Sequence, residues 1–138
     1  MVTSNFSQQA KKTALYAMAQ QSPDFKQFYY QYKRYADMDV FLPYDFVDDV
    51  FAILDSDPMV TLTIRKYAEN AQATKSFGAS SLAYTGFMIA VLFLLSTHIK
   101  FYRTLDGKWE FLLEHPALQG EILKKVAETL INILNKPI

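Results

Sequence analysis

Cysteine is absent from the 138-residue chain, and glycine and histidine are scarce, with four and two residues. Without cysteine there is no disulfide, no thiolate nucleophile and no cysteine ligand for structural zinc. The lack of disulfides fits a reducing compartment. Neither a glycine-rich phosphate loop nor a G-x-S-x-G pattern occurs. His98 and His115 are not spaced as zinc ligands, and we expect each to be a capping or surface residue. The sequence therefore predicts a protein that is not an enzyme and holds no metal or other cofactor.

An excess charge of one sign is also missing, because 14 basic and 14 acidic side chains cancel. No overall field then draws the chain towards nucleic acid or an anionic membrane. The first twenty residues lack the apolar run and the small-residue cleavage site of a secretory signal, so we expect a cytoplasmic protein. A length of 138 residues with 51% apolar content predicts one domain, residues 1–138, with a substantial core.

Proline and helical periodicity divide most of the chain into helices. Apolar residues recur at helical spacing from about Asn5 to Gln20, and Ser22-Pro23-Asp24 is typical of the start of a second helix. Leu42-Pro43 opens a third helix that runs to about Leu54. Asp57-Pro58 opens a fourth segment, with Asp55 and Asp57 as candidate caps. Its β-branched residues leave a strand open as the alternative: Val60, Thr61, Thr63 and Ile64.

Residues 77–99 form a long segment without charge, bounded by Lys75 and Lys100. A bilayer span needs roughly 20 apolar residues, so the segment is long enough to be one. Only Tyr84 to Leu95 is densely apolar, however, and a stretch of that length is more typical of a helix buried inside a bundle. We favour the buried helix, and the membrane segment remains the alternative.

After this helix the apolar period changes from helical to alternating. The segment KFYRTLDGKWEFLLE predicts a β-hairpin at about residues 99–114, with Asp106-Gly107 as a two-residue type I′ turn. That turn places Arg103 opposite Glu110 and puts Tyr102 on the same face as Trp109. An amphipathic C-terminal helix follows. The predicted fold class is mainly α, a single-domain bundle of about six helices with one β-hairpin before the C-terminal helix.

Acidic residues are concentrated in the middle of the chain. Residues 35–64 carry seven aspartates and no basic residue, whereas residues 1–34 carry five basic residues and one acid. A calcium-binding EF-hand loop starting at Asp37 would have acids at its positions 1, 3, 9 and 12. Leu42 occupies the position where that loop needs glycine, and Pro43 follows it. The sequence therefore excludes this calcium loop and favours a helix.

The helix from Pro43 to Ser56 has an apolar face and an acidic face. Asp45, Asp48 and Asp49 share the acidic face, and no lysine in the segment balances them. Like charges at this spacing cost a helix about 0.2 to 0.5 kcal/mol per pair, so either the face is simply solvated or it docks a basic partner. The candidate partner-binding residues are Asp37, Asp39, Phe41, Tyr44, Asp45, Asp48 and Asp49.

The C-terminal segment YRTLDGKWEFLLEHPALQGEILKKVAETLINIL resembles the ends of small bacterial immunity proteins. These proteins belong to contact-dependent growth inhibition and related polymorphic toxin systems, and the resemblance covers residues 98–135. It implies an immunity protein that binds and neutralises its cognate toxin domain, very often a nuclease. A nuclease is basic where its substrate enters, so the acidic surface would imitate nucleic acid.

The resemblance thus predicts a toxin domain as partner, with no role for nucleic acid. Two other classes of function remain open on the sequence alone. One is a small membrane-associated protein that uses residues 77–99 as its span. The other is a helical subunit of an assembly, with the aromatic residues between positions 25 and 35 partly exposed at an oligomer interface.

Overall fold

A computed structural model of the protein describes residues 6–36, 45–74, 84–113 and 120–135. Within these ranges the chain is mainly helical, with a two-stranded antiparallel hairpin before the C-terminal helix, as the sequence predicts. In chain order the elements are α1 (Gln8–Gln20), α2 (Phe25–Ala36), α3 (Phe46–Asp55), α4 (Thr61–Thr74), α5 (Tyr84–Leu94), a 3-10 turn (Leu95–Thr97), β1 (Ile99–Arg103), β2 (Trp109–Leu113) and α6 (Gly120–Leu134).

Short polar side chains define where α1 and α2 begin. The Ser7 hydroxyl accepts a hydrogen bond from the backbone N–H of Ala10 at 3.0 Å, which satisfies one amide that the first turn of α1 leaves without a partner. The Ser22 hydroxyl accepts from the N–H of Asp24 at 3.3 Å, directly before α2. The predicted helix start at Ser22-Pro23-Asp24 is therefore confirmed.

The segment after Pro58 is a helix, so the strand alternative for it is wrong. Asp57 sets the start of α4, since its side chain accepts from the N–H of Met59 at 2.9 Å and its carbonyl accepts from the N–H of Thr61 at 3.0 Å. Ile64, Ala68 and Ala71 then fall on one buried face. Helical spacing of these residues outweighs the weak strand preference of the β-branched side chains.

Helix α5 lies at the centre of the bundle. Every side chain from Phe87 to Leu92 is buried, and the helix packs against α1 and α2. This explains why the segment is apolar on all sides, since every face of it meets another element. Across the described parts of the chain, none of the helices combines the length and the apolar character that a membrane crossing requires. Residues 77–83 of the alternative membrane segment lie outside the described ranges.

The core is continuous through the helices and the base of the hairpin. Helix α1 packs on α4 and α5, while α6 packs on α3 and β2. Burying a side chain of leucine or phenylalanine size stabilises a fold by about 1.5 to 3 kcal/mol, so these contacts supply most of the driving force. The largest fully buried side chains are Phe46, Phe51, Phe87, Leu15, Ile53, Leu54, Ile64, Met88, Ile89, Leu92, Leu95 and Ile99.

The hairpin forms where the sequence predicts it, but the predicted turn and register are wrong. The N–H of Thr104 donates to the carbonyl of Lys108 at 2.8 Å, and the N–H of Gly107 donates to the carbonyl of Thr104 at 2.9 Å. Gly107 has a φ of +85°, a conformation that glycine adopts without a Cβ penalty. The connection is thus a three-residue loop that ends in a left-handed glycine.

This loop shifts the pairing of the strands by one residue. Arg103 lies opposite Trp109 and Tyr102 opposite Glu110, where the sequence predicted Arg103 opposite Glu110. A shift of one residue moves a side chain to the other face of a sheet. Tyr102 is consequently exposed, and Phe101 takes the half-buried position on the face of Trp109.

The residue that follows α6, Asn135, fixes the hairpin to the bundle. The Asn135 side chain accepts from the N–H of Trp109 at 2.7 Å and donates to the carbonyl of Trp109 at 3.0 Å. One amide group thereby satisfies both backbone groups of Trp109, as a neighbouring strand would. The indole of Trp109 also lies 5.8 Å from the Tyr32 ring, centre to centre, and so contacts α2.

Candidate functional site

Three of the seven predicted partner-binding residues lie in the described part of the chain. Asp45 is the N-cap residue of α3, and Asp48 and Asp49 lie in its first turn. We refer to these three residues as the α3 carboxylate cluster. The other four predicted residues, Asp37, Asp39, Phe41 and Tyr44, lie outside the described ranges.

The amphipathic pattern of α3 is confirmed. Its core face is buried and comprises Phe46, Val50, Phe51, Ile53 and Leu54. Negative side chains in the first turn also face the positive end of the helix dipole, which stabilises them there. The local fold therefore places all three carboxylates on the side of α3 that faces away from the core.

Asp48 forms an ion pair with a nearly buried lysine of α1. Its Oδ1 atom lies 2.8 Å from Lys11 Nζ, and the Lys11 side chain is 10% exposed while that of Asp48 is 42% exposed. The ammonium also lies 5.7 Å from the centre of the Phe51 ring, within range of a cation–π contact. A buried ammonium needs such partners, since its loss of water would otherwise be costly. This pair therefore fixes α3 against α1.

Asp45 and Asp49 share a lysine of α6. Lys125 Nζ lies 2.6 Å from Asp45 Oδ2 and 3.0 Å from Asp49 Oδ2. The hydrogen bond from Lys125 lowers the pKa of Asp45 below its ordinary value, because it favours the ionised carboxylate. The hydrogen bonds that Lys125 donates, to Asp45 first and then to Asp49, raise the pKa of Lys125 because they favour the ionised ammonium. This second contact connects the start of α3 to the middle of α6.

The two lysines change the interpretation of the acidic face. The sequence indicated carboxylates without any balancing lysine, and for these three aspartates that interpretation is wrong. Lys11 lies 37 positions from Asp48 and Lys125 lies 80 positions from Asp45, and the fold brings them together. Three carboxylates and two ammonium groups leave a formal charge of −1 on the cluster with its lysines.

Sequence reasoning could have found Lys11. It lies on the same helical stripe as Ala14, Leu15 and Met18, three, four and seven residues further on, and therefore on the core side of α1. A charged residue at such a position requires a partner of opposite sign. Lys125 offers no such signal, since it lies on the exposed side of α6.

Asp55 connects α3 to α4. Its two oxygens accept from the Arg65 guanidinium at 2.7 and 3.0 Å, and its Oδ1 also accepts from the Thr61 hydroxyl at 2.7 Å. Burial acts to raise the pKa of Asp55, but the hydrogen bonds from Arg65 and Thr61 outweigh it and lower the pKa. Asp55 thus has a structural role between the two helices, where the sequence predicted a cap.

His98 caps the end of the 3-10 turn, as one of its two expected positions allows, but it is buried and does not lie at the surface. Its Nε2 lies 3.1 Å from Asp57 Oδ2, and its Nδ1 lies 3.0 Å from the hydroxyl oxygen of Thr97. The three side chains satisfy one another and join the end of α5 to the start of α4. Over the described ranges, no three histidine or acidic side chains come together in a way that could hold a metal ion.

The five described aspartates of the acidic segment therefore all have partners within the chain. Asp45 and Asp48 remain substantially exposed after pairing, at 46% and 42% of the side chain, whereas Asp49 and Asp55 are largely covered. The accessible part of the cluster is thus formed by Asp45 and Asp48, with Lys125 beside them.

Comparison with other proteins gives no relative from which a role for this surface could be transferred. No protein-family model, no curated protein and no solved structure matches the chain.

Proposed function

We propose that this protein is an immunity protein that binds a cognate antibacterial toxin domain in the cytoplasm and neutralises it by covering a basic surface. The observation that carries the proposal is that Asp45 and Asp48 are both paired within the chain and accessible to solvent. Each is held in place by a lysine of another helix, yet more than two fifths of each side chain stays exposed. Carboxylates in this state are available to a second cationic group from outside.

Prior pairing favours binding because the side chains are already ordered. Immobilising a flexible side chain at an interface costs about 0.5 to 1.5 kcal/mol, and most of that cost is met here on folding. Asp45 and Asp48 are also three positions apart on a helix, a spacing that places their side chains side by side. The surface therefore offers two fixed acceptors to arginine or lysine side chains of a partner.

The kind of partner follows from the charge and from the resemblance of residues 98–135 to immunity proteins. A toxin nuclease is basic where it grips phosphates, so carboxylates at that place would compete with its substrate. Charge complementarity would also raise the rate of encounter. Asp37 and Asp39, earlier in the acidic segment, would extend this surface in the proposal.

The first test is genetic. We expect the neighbouring gene to encode a protein that ends in a toxin domain and whose expression alone stops growth. Co-expression of this chain should restore growth. A toxin that kills equally well in its presence, or a locus without a toxin gene, would contradict the proposal.

The second test separates the binding surface from the fold. Asp48→Lys alone would place two lysines together and destabilise the protein, so we pair it with Lys11→Glu, which keeps an ion pair and reverses the exposed charge. We expect the double variant to fold and to bind the toxin domain about tenfold or more weakly in calorimetry. Glu69→Lys, an exposed reversal on α4, is the matched control and should bind like the unaltered protein. Equal binding by the double variant would remove Asp48 from the interface and contradict the proposed pair of acceptors.

A further inference from the structure

A second surface feature lies apart from the α3 carboxylate cluster. An open cleft of about 430 Å³ is formed by the C-terminal part of α1 and the first turns of α2. Its volume falls in the range of ligand sites, roughly 300 to 1,000 Å³. Four aromatic rings line it, those of Tyr16, Phe25, Tyr29 and Tyr30. We refer to it as the tyrosine cleft.

The rings of the tyrosine cleft are held in place by one another and by the core. Phe25 is 6% exposed and lies 5.3 Å from the Phe93 ring, so it forms a fixed base. Tyr16 and Tyr29 each contact Phe25 edge to face, with centres 6.2 Å away. Tyr30 contacts Tyr29 in the same way at 6.1 Å. Tyr16, Phe25 and Tyr29 therefore form a preformed part of the wall, with Tyr30 beside them at the surface.

Tyr30 is the most exposed ring of the wall, with 66% of its surface accessible. A tyrosine side chain has few rotatable bonds, so an exposed tyrosine offers a large contact area at little entropic cost, which is a common property of binding residues. Each tyrosine adds a hydroxyl that can donate to a carbonyl oxygen. The cleft thus combines aromatic rings with hydroxyl groups that can form hydrogen bonds.

This combination fits a proline-rich peptide. Such segments form an extended polyproline II helix, whose carbonyl groups have no internal hydrogen bonds, and they bind in grooves lined by aromatic rings. Because the peptide is already extended, it loses little entropy on binding. The proline rings would pack on the accessible ring surfaces of the tyrosines, and the hydroxyls would donate to the free carbonyls.

The charge of the cleft selects among such peptides. Among its described lining residues, Lys26 alone carries a charge. Lys26 would repel a cationic ligand and attract a glutamate or aspartate. A nucleic acid strand is disfavoured, because it places a phosphate at every nucleotide and needs several cations. Lys11 is bound to Asp48 and Lys12 lies over the Phe87 ring at 5.2 Å, so both lysines of α1 are engaged elsewhere.

From these observations we infer that the tyrosine cleft is a docking site for a proline-rich segment that carries an acidic residue, which contacts Lys26. The inference does not depend on the immunity function, since it uses different residues and a different ligand.

The test uses two blocked peptides with the same proline-rich scaffold, one with a glutamate and one with a lysine at the same position. Each is titrated into the isotope-labelled protein, and amide chemical shifts are followed by NMR. We expect the glutamate peptide to shift the amides of residues 20–30 and to bind more tightly than the lysine peptide. Lys26→Glu should reverse that preference.

Two tyrosine substitutions distinguish specific binding in the cleft from nonspecific binding to exposed aromatic side chains. Tyr30→Ala should weaken the glutamate peptide at least about tenfold, because it removes the most exposed ring of the wall. Tyr102→Ala, which removes an exposed tyrosine of the hairpin, is the matched control and should leave binding unchanged. Both positions are exposed, so both variants should keep the circular dichroism spectrum of the unaltered protein.

Several results would overturn the inference. One is the absence of chemical shift changes at about 1 mM glutamate peptide, a concentration that would detect even weak binding. Another is equal affinity for the two peptides. A third is an equal loss of affinity for the glutamate peptide on Tyr30→Ala and on Tyr102→Ala. Tighter binding of an oligothymidine at the same residues would assign the cleft to nucleic acid instead. The Asp48→Lys with Lys11→Glu variant should bind the glutamate peptide normally, which separates this site from the proposed toxin surface.

Discussion

Two lysines form ion pairs with the α3 carboxylate cluster, and they do so in different surroundings. Lys11 reaches Asp48 from α1 with its side chain 10% exposed, whereas Lys125 reaches Asp45 and Asp49 from α6 with its side chain 51% exposed. The distances are similar, at 2.8 Å for the first and 2.6 and 3.0 Å for the second. Contact geometry alone therefore does not distinguish the two pairs.

Burial does distinguish them, and it gives them different consequences. Water and salt screen the contact between Lys125 and Asp45, so breaking it leaves two groups that water can solvate, and only the Asp49 Oδ2 atom is buried. Breaking the Lys11 contact leaves an ammonium that has lost most of its water and its carboxylate together. The comparison indicates that Asp48 matters most for the stability of the fold. Asp45, with the weaker internal role, is freer to serve a partner.

The largest expected effect is on removal of Asp48. Asp48→Ala should lower the free energy of unfolding by about 1 to 3 kcal/mol, because it leaves the Lys11 ammonium without its carboxylate. Lys11→Met, which removes the charge and keeps an apolar side chain of similar length, should cost less. The double substitution should recover part of the Asp48→Ala loss. Urea unfolding of the four proteins completes the cycle.

Additive effects in this cycle would show that the two side chains do not interact. Stability of Asp48→Ala equal to that of the unaltered protein would show that Lys11 is solvated in solution. In both cases the distinction between a buried pair and an exposed pair would be lost.

The sequence predicts the helices well, because their signals are local. Apolar spacing, Ser22-Pro23 and Asp57-Pro58 act within one or two turns, and each marks a boundary that the structure has within a few residues. The hairpin register is different. An Asp-Gly pair serves both a two-residue turn and a three-residue loop with a left-handed glycine, and the two differ by one residue in pairing. Packing on the bundle, which places Phe101 inward, selects between them.

The site was less predictable than the fold, because its contacts are distant in sequence. Counting charges along residues 35–64 shows seven acids without a base, yet the balancing groups come from α1, α4 and α6. Local patterns identify which face of α3 is polar, but they do not identify what lies against it. The position of Lys11 on the apolar stripe of α1 was the one local sign of such a partner.

Acid titration compares a covered carboxylate with an exposed one. Hydrogen bonds from Arg65 and Thr61 outweigh burial and lower the pKa of Asp55. The hydrogen bond from Lys125 lowers the pKa of Asp45. A carboxylate whose pKa is lower in the folded than in the unfolded protein stabilises the fold at any pH above its pKa in the unfolded protein, about 3.8. This stabilisation is lost as the pH falls through the pKa of the folded protein. We therefore expect the free energy of unfolding to drop below about pH 4.

Two asparagine variants show which of the two carboxylates causes the loss of stability in acid. Asp55→Asn should flatten the acid limb of the stability curve more than Asp45→Asn, because the Asp55 side chain is 9% exposed and that of Asp45 is 46% exposed. Urea unfolding at a series of pH values measures both. An equal or opposite order would mean that exposure does not set the strength of these contacts.

The smallest expected effect is on Lys125. Lys125→Ala should destabilise the protein less than Asp48→Ala does, because Asp45 stays open to water and only the Asp49 Oδ2 atom loses a counterion in a buried position. The loss should also shrink in about 0.5 M salt, where the screening length is only a few ångströms. The Asp48→Ala loss should persist under the same conditions, because salt does not reach the Lys11 ammonium as readily. A large loss of stability on Lys125→Ala that does not change with salt would instead mean that the main charge contact of the fold lies between α3 and α6. The exposed carboxylates would then be poor candidates for a partner surface.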